Sequence, residues 1–190
     1  MMGQPRLCDD MVLQELVAEV ERGATDELER ADRLIAEYPE DARLHFLRGS
    51  MLVGIGRSIE ALPALRKAVE LAPDFAIARF QLGFFLLTSG DAAEALSVWG
   101  PLALLPEGHY LRLFVGGLTH LIRDEFGDAI LVLDAGIAAN DENAPLNRDM
   151  ELIIDKVKML TPSDSNSAVE PDVSATSLLL GQLSSKRTTH

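Results

Sequence analysis

The chain has little of what several functional classes require. Its 190 residues contain one cysteine, Cys8, which excludes an intrachain disulfide framework and a CxxC metal or redox site. The residues before Asp9 include no apolar run, so they do not resemble a secretory signal or a lipoprotein leader. No uninterrupted apolar stretch approaches the roughly 18 residues that a membrane span needs. We therefore expect a cytoplasmic protein without membrane insertion.

Basic residues are also scarce. Lys and Arg together number 17 against 30 Asp and Glu, which gives a formal net charge of −13. Binding to nucleic acid or to an anionic membrane surface needs clustered Lys and Arg, so the composition argues against both partners. Solubility is a sufficient explanation for the acidity. With 47% hydrophobic residues, the chain is long enough to bury a core of its own.

Recognisable catalytic and metal-binding motifs are missing as well. The sequence contains no phosphate-binding loop, no dinucleotide-binding glycine motif and no nucleophile elbow. Its four histidines are His45, His109, His120 and His190. No two of them have the i, i+4 spacing of a metal site on a helix. The acidic residues Asp124, Glu125 and Asp128 lack calcium-loop spacing and are interpreted as a solvated turn. We expect no enzyme activity, no cofactor and no metal.

What the chain does have is a series of small residues that recurs every 34 positions. The first series is Gly49, Gly83 and Gly117. The second lies 12 residues further on and is Ala61, Ala95 and Ala129. Further series are Gly56 with Gly90, and Pro39 with Pro73, which Pro106 nearly continues. A fixed period of this length is typical of stacked helical hairpins rather than of a closed domain around an internal active site.

Each series has a physical explanation. Glycine in the middle of a helix costs about 1 kcal/mol relative to alanine, a cost tolerated where a second helix approaches closely. Gly56 and Gly90 fall where a first helix should end, in a left-handed conformation that glycine adopts readily. Asp124 stands at that position in the third repeat. Pro63 and Pro101 lie within predicted second helices, which they should kink or whose start they should delay.

These residues resemble the tetratricopeptide repeat over about residues 41–142. The matching residues are Leu82 and Gly83 in the first helix, Gly90 and Asp91 at the turn, Glu94 and Ala95 in the second helix, and Pro73 at the exit. The resemblance implies an all-α fold, a right-handed superhelix of stacked antiparallel helix hairpins known as an α-solenoid. It also implies that the chain works by binding other proteins.

The pattern divides the chain as follows. We expect a flexible amino terminus over 1–9, a degenerate hairpin over 10–38, repeats over about 41–74, 75–108 and 109–142, and a capping helix over 144–160. The apolar stripe of this last helix is predicted to be Leu146, Met150, Ile153, Ile154, Val157 and Leu160. The Ser-, Thr- and Pro-rich tail 161–190 is expected to be mostly disordered, with a short apolar motif over 178–183.

In arrays of this family the first helices line a concave groove that binds ligands. The residues predicted here to bind a peptide are Phe46, Val53, Ile77, Phe80, Phe84, Leu87, Leu111, Phe114, Leu118 and Leu121. The helix over 76–88 is apolar on more than one face, so one face should pack in the hairpin and another needs cover. An alternative is that these residues are core. The basic clamp that some family members use for carboxylate-terminated peptides is missing, since only Arg43 is basic here.

The sequence thus predicts a non-enzymatic interaction module, which could act as an adaptor, scaffold or chaperone. It would bind an apolar peptide or an amphipathic helix in the groove. Two alternatives stay open. One is a homo-oligomeric scaffold, such as a homodimer, in which a second copy or the carboxy-terminal tail buries the groove. The other is a secretion chaperone, an alternative that depends on analogy with small acidic chaperones of three tetratricopeptide repeats.

Overall fold

The computed structural model describes residues 6–22 and 26–160, which contain helices and no strand. The helices are α1 (Asp10–Arg22), α2 (Glu27–Glu37), α3 (Ala42–Gly54), α4 (Ser58–Leu71), α5 (Ala76–Thr88), α6 (Ala92–Trp99), a 3₁₀ helix (Gly100–Leu104), α7 (Tyr110–Ile122), α8 (Phe126–Ala139) and α9 (Ala144–Leu160). Short connections join α3 to α4 and α7 to α8, and the two helices of each pair pack against each other as a hairpin. The predicted all-α class is confirmed.

The helices keep the period of the sequence. The first helices of successive hairpins begin at Ala42, Ala76, Tyr110 and Ala144, which are spaced by 34 residues. The second helices begin at Ser58, Ala92 and Phe126, with the same spacing. By this register α9 is the first helix of a fourth repeat that has no second helix among the described residues. The amino-terminal helices α1 and α2 begin at residues 10 and 27, outside the register.

The turn inside each hairpin has the same left-handed conformation. The backbone φ is 75° at Gly56, 92° at Gly90 and 58° at Asp124. In all three turns the amide of the next residue donates to a carbonyl five residues earlier, with distances of 2.9 Å, 2.9 Å and 3.0 Å. This is the bond that closes a helix after a left-handed residue. Asp124 therefore does the work of the turn glycine, since aspartate tolerates a positive φ better than most residues.

Two of the repeated glycines allow the same close contact within their hairpins. A Cβ added at Gly49 would lie 2.7 Å from Leu65 Cδ2, and one added at Gly117 would lie 2.6 Å from Leu133 Cγ. Gly117 and Leu133 stand two repeats after Gly49 and Leu65. A side chain of any size at either glycine would push the two helices of the hairpin apart.

The two interior prolines have different effects. Pro63 lies inside α4, which begins at Ser58 and continues to Leu71, so the predicted delay of its start does not occur. By contrast α6 has 8 residues and changes into the 3₁₀ helix that contains Pro101. Because proline has no amide hydrogen, it cannot continue the α-helical bonding pattern, and the Gly100 amide bonds to the Ser97 carbonyl instead.

Residues just before α1 depart from the expected flexible terminus. Cys8 is buried, and its amide donates to the Asp41 carboxylate over 2.9 Å. Arg43 closes the arrangement by donating to the Cys8 carbonyl and to Asp10, over 2.7 Å and 2.6 Å. We call Cys8, Asp10, Asp41 and Arg43 the amino-terminal clasp. Sequence periodicity could not predict it, because the clasp joins residues before and at the start of α1 to the start of α3 through polar side chains that do not recur in the repeats.

The last helix of the described residues has the bounds of the predicted capping helix, 144–160. Five residues of its predicted apolar stripe are buried: Leu146, Met150, Ile153, Ile154 and Val157. The sixth, Leu160, is 48% exposed, since it is the last residue of the helix. The predicted tail 161–190, with its apolar motif 178–183, lies outside the described residues, as do residues 1–5 of the amino terminus.

The chain divides into two compact units. The first ends at Phe85 and the second begins at Leu86, so the boundary falls within α5 rather than between repeats. Each unit contains one complete hairpin built on the glycine–leucine contact, α3–α4 in the first and α7–α8 in the second.

Candidate functional site

The ten residues that the sequence predicts to bind a peptide fall into a buried group and a partly exposed group. Eight of them are buried: Val53, Phe80, Phe84, Leu87, Leu111, Phe114, Leu118 and Leu121. The remaining two, Phe46 and Ile77, are partly exposed. Buried side chains of the folded chain are not accessible to a partner, so a ligand could contact only the last two without displacing other parts of the protein.

The contacts of Phe114 explain why it is buried. A Cβ added at Gly136 in α8 would lie 2.5 Å from Phe114 Cδ1 and 2.6 Å from Phe114 Cε1. The phenyl ring therefore lies against the backbone of α8, in a space that exists because residue 136 is glycine. Tyr110 meets the same ring edge-on, with the ring centroids 5.9 Å apart. Phe114 belongs to the core of its own hairpin.

The same α7 helix buries its other predicted contact residues. Leu111, Leu118 and Leu121 are each at most 1% exposed. Together with Phe114 they make this face of α7 a packing surface of the second unit. Each such leucine contributes about 1.5–3 kcal/mol by its removal from water, which explains apolar residues at these positions without a ligand.

In the first unit, Phe80 and Phe84 form a stacked pair on successive turns of α5. Their ring centroids are 6.0 Å apart and the ring planes differ by 14°. Phe80 is fully buried and Phe84 is 3% exposed. Offset aromatic pairs of this kind add about 0.5–1.5 kcal/mol to the burial of their area.

The accessible apolar residues of the predicted site lie on α3 and at the start of α5. The rings of Phe46 and Phe75 meet edge-on, with centroids 5.2 Å apart and an interplanar angle of 65°. Ile77 follows in the first turn of α5, and all three side chains are partly exposed. We call Phe46, Phe75 and Ile77 the Phe46 patch. The sequence pattern missed Phe75 because it precedes the helix and so stands outside the helical periodicity.

Arg43, the one basic residue at a predicted groove position, is committed to the amino-terminal clasp. It donates to the Asp41 carboxylate over 2.7 Å, and this bond raises the pKa of the guanidinium. Burial alone would raise the pKa of Asp41. The Arg43 side chain and the amides of Cys8 and Arg43 more than offset that effect, so the pKa of Asp41 lies below its ordinary value. Because the charge of Arg43 is paired with Asp41 and Asp10 inside the clasp, this side chain is not available to bind a peptide carboxylate.

Cys8 lies in the same clasp. Its side chain is 3% exposed, and burial together with the nearby Asp41 carboxylate raises the pKa of its thiol. A thiol reacts as its thiolate, so this environment suppresses its nucleophilicity. The clasp therefore has the character of a structural site.

Three potential metal ligands converge at the turn between α7 and α8. One donor atom from each of His120, Glu125 and Asp128 lies within 4.8 Å of the others. His120 Nδ1 and Glu125 Oε2 are 2.6 Å apart, a hydrogen-bond distance. Sequence spacing did not join the histidine to the acidic turn, because the left-handed residue Asp124 reverses the chain between them. We call these three residues the His120 cluster.

None of the helices in the described part of the chain combines the length and the apolar character needed to cross a membrane.

Comparison with known proteins supports the fold and leaves the partner open. No family model matches the chain. A segment of 57 residues, 30% of the chain, is 39% identical to DnaJ homolog subfamily C member 3 from Rattus norvegicus. The same protein from Bos taurus matches with the same identity and length. The chain spans about a tenth of these relatives, since the matched segment covers 11% of their length.

Two solved structures resemble the chain over most of its length. One is MamA 41-end from Desulfovibrio magneticus RS-1, with a TM-score of 0.57, 15% sequence identity, and coverage of 84% of this chain and 87% of that chain. The other is the MamA RS-1 ArsTM double mutant, with a TM-score of 0.56, 15% identity, and coverage of 84% and 86%. At this identity the likeness shows the fold, a tetratricopeptide-like helical-repeat array of the predicted α-solenoid class.

Proposed function

We propose that the chain is a non-enzymatic protein-interaction module, acting as an adaptor, scaffold or chaperone, that binds an apolar peptide or an amphipathic helix. The observation that carries this proposal is the Phe46 patch. Phe46 and Ile77 are the two predicted contact residues that keep part of their side chains exposed, and Phe75 extends them. Partly exposed aromatic side chains held by a rigid helical scaffold are typical of contact positions in protein interfaces.

The other eight predicted residues take a supporting role in this proposal. They are core side chains that fix the helices carrying the patch, and a partner need not contact them. The Phe46–Phe75 edge contact keeps the two rings in one arrangement before any partner arrives. A preformed contact surface loses less conformational entropy on binding than one that must be ordered.

The size of the patch limits the affinity that it can supply. Three side chains that are already half-buried can lose only part of their area to a partner, which yields at most a few kcal/mol. Association costs about 4–15 kcal/mol in lost translational and rotational freedom. The proposed interaction is therefore reversible, and it needs contributions beyond the three apolar side chains.

Charge supplies one such contribution. The chain carries a formal charge of −13, and Arg43 is neutralised in the clasp. An apolar segment flanked by Lys or Arg would be attracted to this chain and would associate faster, whereas an acidic segment would be repelled. The proposed partner is thus an apolar or amphipathic segment with basic residues on its polar face.

A pair of matched peptides and a pair of matched variants would test this proposal. The probes are a labelled amphipathic helix with leucine on one face and lysine on the other, and its counterpart with glutamate in place of lysine. The test variant is Phe46→Asp with Ile77→Asp. The control is Ile59→Asp, because Ile59 in α4 is 92% exposed and lies outside the patch.

We expect the lysine peptide to bind more tightly than the glutamate peptide, and the double variant to bind it at least about tenfold more weakly, a loss of 1.4 kcal/mol. Fluorescence anisotropy measures both, and circular dichroism checks that each variant is folded. Equal binding by the double variant and the Ile59→Asp control would overturn the proposal. Light scattering on the same samples would detect a homodimer or larger assembly, in which case burial of the patch by a second copy would replace peptide binding.

A further inference from the structure

We propose that the His120 cluster binds one divalent transition-metal ion, with Zn²⁺ as the reference ion. The cluster brings an imidazole nitrogen and two carboxylates together at the end of α7 and the start of α8, with donor atoms at most 4.8 Å apart. Imidazole and carboxylate are both ligands of Zn²⁺. The proposal concerns the α7–α8 turn alone and does not depend on peptide binding.

The register of the repeats shows that this arrangement is specific to the third repeat. The positions that correspond to the His120 cluster are Leu52, Arg57 and Glu60 in the first repeat, and Leu86, Asp91 and Glu94 in the second. Leu52 and Leu86 are buried, with 0% and 4% exposure, whereas the His120 side chain is 33% exposed. His120 therefore replaces a core leucine and gives up its packing, which favours another role for the imidazole.

The distances suit a small ion after modest movement. Around tetrahedral Zn²⁺ with bonds of about 2.0–2.2 Å, neighbouring donor atoms lie roughly 3.3 Å apart. The present separations range from 2.6 Å, between His120 Nδ1 and Glu125 Oε2, to at most 4.8 Å. Shifts of roughly 1–1.5 Å would bring all three donors to this spacing. Glu125 and Asp128 are exposed, so their carboxylates can rotate without moving a helix.

The two helix ends at the cluster have opposite effects on a cation. His120 lies in the last turn of α7, where the helix dipole attracts positive charge, whereas Glu125 and Asp128 lie at the start of α8, where the dipole repels it. The attraction for a cation therefore comes from the two carboxylates. The two carboxylates add negative charge without a Lys or Arg among the cluster's own members. Calcium takes six to eight oxygen ligands and magnesium requires near-octahedral oxygen coordination, so a set of one nitrogen and two carboxylates selects against both. Water would complete the coordination of the transition metal.

Zinc titration of the full chain by isothermal calorimetry tests the proposal, with His120→Leu and Asp128→Asn as the site variants. His120→Leu restores the residue found at this position in the other two repeats, so it should fold at least as well as the wild type. His45→Gln is the control, because His45 lies on α3 beside the Pro39 carbonyl and outside the cluster. Thermal unfolding without metal checks the fold of each variant.

We expect one strong Zn²⁺ site in the wild type and in His45→Gln. Both site variants should bind Zn²⁺ more weakly than the wild type, by more than roughly tenfold. Removal of a group that only supports a ligand already costs about that much, and each variant loses a ligand itself. Zinc should also raise the unfolding temperature of the wild type and leave that of His120→Leu unchanged. Equal zinc affinity in His120→Leu and the wild type would overturn the proposal. So would the lack of a zinc site in the wild type, or binding of Ca²⁺ or Mg²⁺ as tightly as Zn²⁺, which would indicate an unselective acidic turn.

Discussion

The first and last helices of the described chain both bury apolar residues, but they differ in the polar groups that join them to their neighbours. In the first unit, Leu16 of α1 and Ala31 of α2 share a buried apolar cluster with Cys8 and Leu44. Arginine–carboxylate pairs also join α1, α2 and the residues before them to their neighbours. These pairs are Arg43 with Asp10 and Asp41, Arg30 with Glu15 and Glu19, Arg48 with Asp32, and Arg6 with Glu37. In the second unit, α9 is held by five buried residues of its apolar stripe and by a group of asparagine amides.

The two ends also differ in their relation to the repeat register. The helix α9 begins 34 residues after α7 and keeps the apolar stripe of a first helix. One period before Gly49 and Ala61 the chain has Glu15 and Glu27, so the amino-terminal hairpin does not repeat these two small residues. Apolar packing therefore contributes at both ends, and charged pairs add to it at the amino-terminal end. Removal of single groups at each end tests this comparison.

The largest expected effect is at the clasp. Asp41→Ala leaves Arg43 and the Cys8 amide without their shared acceptor, and Asp41 is 1% exposed. Removing one member of a buried ion pair costs about 3–5 kcal/mol, and we expect about 3 because Arg43 is partly exposed. Urea unfolding monitored by circular dichroism measures the loss. A loss below about 1 kcal/mol, the range of a surface pair, would contradict the buried role of the clasp.

The clasp also predicts a pH dependence. The folded pKa of Asp41 lies below its ordinary value of about 3.9. Its stabilising effect should therefore be complete above that ordinary value and be lost as the pH falls through the lower folded pKa. The difference in unfolding free energy between the wild type and Asp41→Ala should be constant near neutral pH and shrink in acid. A difference that grows as the pH falls would have the wrong sign.

An intermediate effect is expected at the other end. The Asn140 side chain is buried and donates to the Asn143 carbonyl and to Asn147 Oδ1 over 3.0 Å and 2.7 Å. It also accepts from the amides of Glu142 and Asn143. Asn140→Ala leaves these groups unpaired, at a cost of about 2 kcal/mol. Since no net charge is involved, the loss should be the same at low and high salt, and a strong salt dependence would contradict the contrast between the two ends.

The smallest effect is expected at the exposed ion pairs. Arg30→Met keeps the apolar stem of the side chain and removes its bonds to Glu15 and Glu19. Two partly exposed pairs together contribute about 1 kcal/mol, and salt screens this contribution. Unfolding in low and high salt should show a loss that shrinks as salt rises. A loss independent of salt would mean that Arg30 acts through packing rather than charge.

The sequence predicted the features that follow from period and local chemistry. The left-handed turns at Gly56 and Gly90 and most of the apolar stripe of α9 can be read from residues at fixed spacing, whereas the same turn at Asp124 was found only in the structure. Period alone did not reveal which neighbour a helix face meets. Phe114 has the spacing of a groove residue, yet its ring lies against Gly136 on its own hairpin partner. The sequence did contain a sign of this contact, because the position one period after Leu102 is a glycine, Gly136, which leaves space beside α8.

The 34-residue pattern could not predict contacts between residues that are of different types and lie in different helices or turns. The clasp joins Cys8 to Asp41, and the His120 cluster joins the end of one helix to the start of the next. Such contacts depend on where a chain reversal places side chains. In the same way, helical periodicity identified α5 as apolar on several faces but could not distinguish its buried residues from its partly exposed ones.

The ten predicted contact residues divide into core and surface side chains. The most direct test is the free energy of unfolding of Phe80→Asp compared with that of Phe46→Asp, measured in urea. Because Phe80 is fully buried and Phe46 is partly exposed, we expect Phe80→Asp to lose several kcal/mol or fail to fold, and Phe46→Asp to lose about 1 kcal/mol or less. A Phe80→Asp variant as stable as the wild type would contradict this division and would return Phe80 to the binding surface.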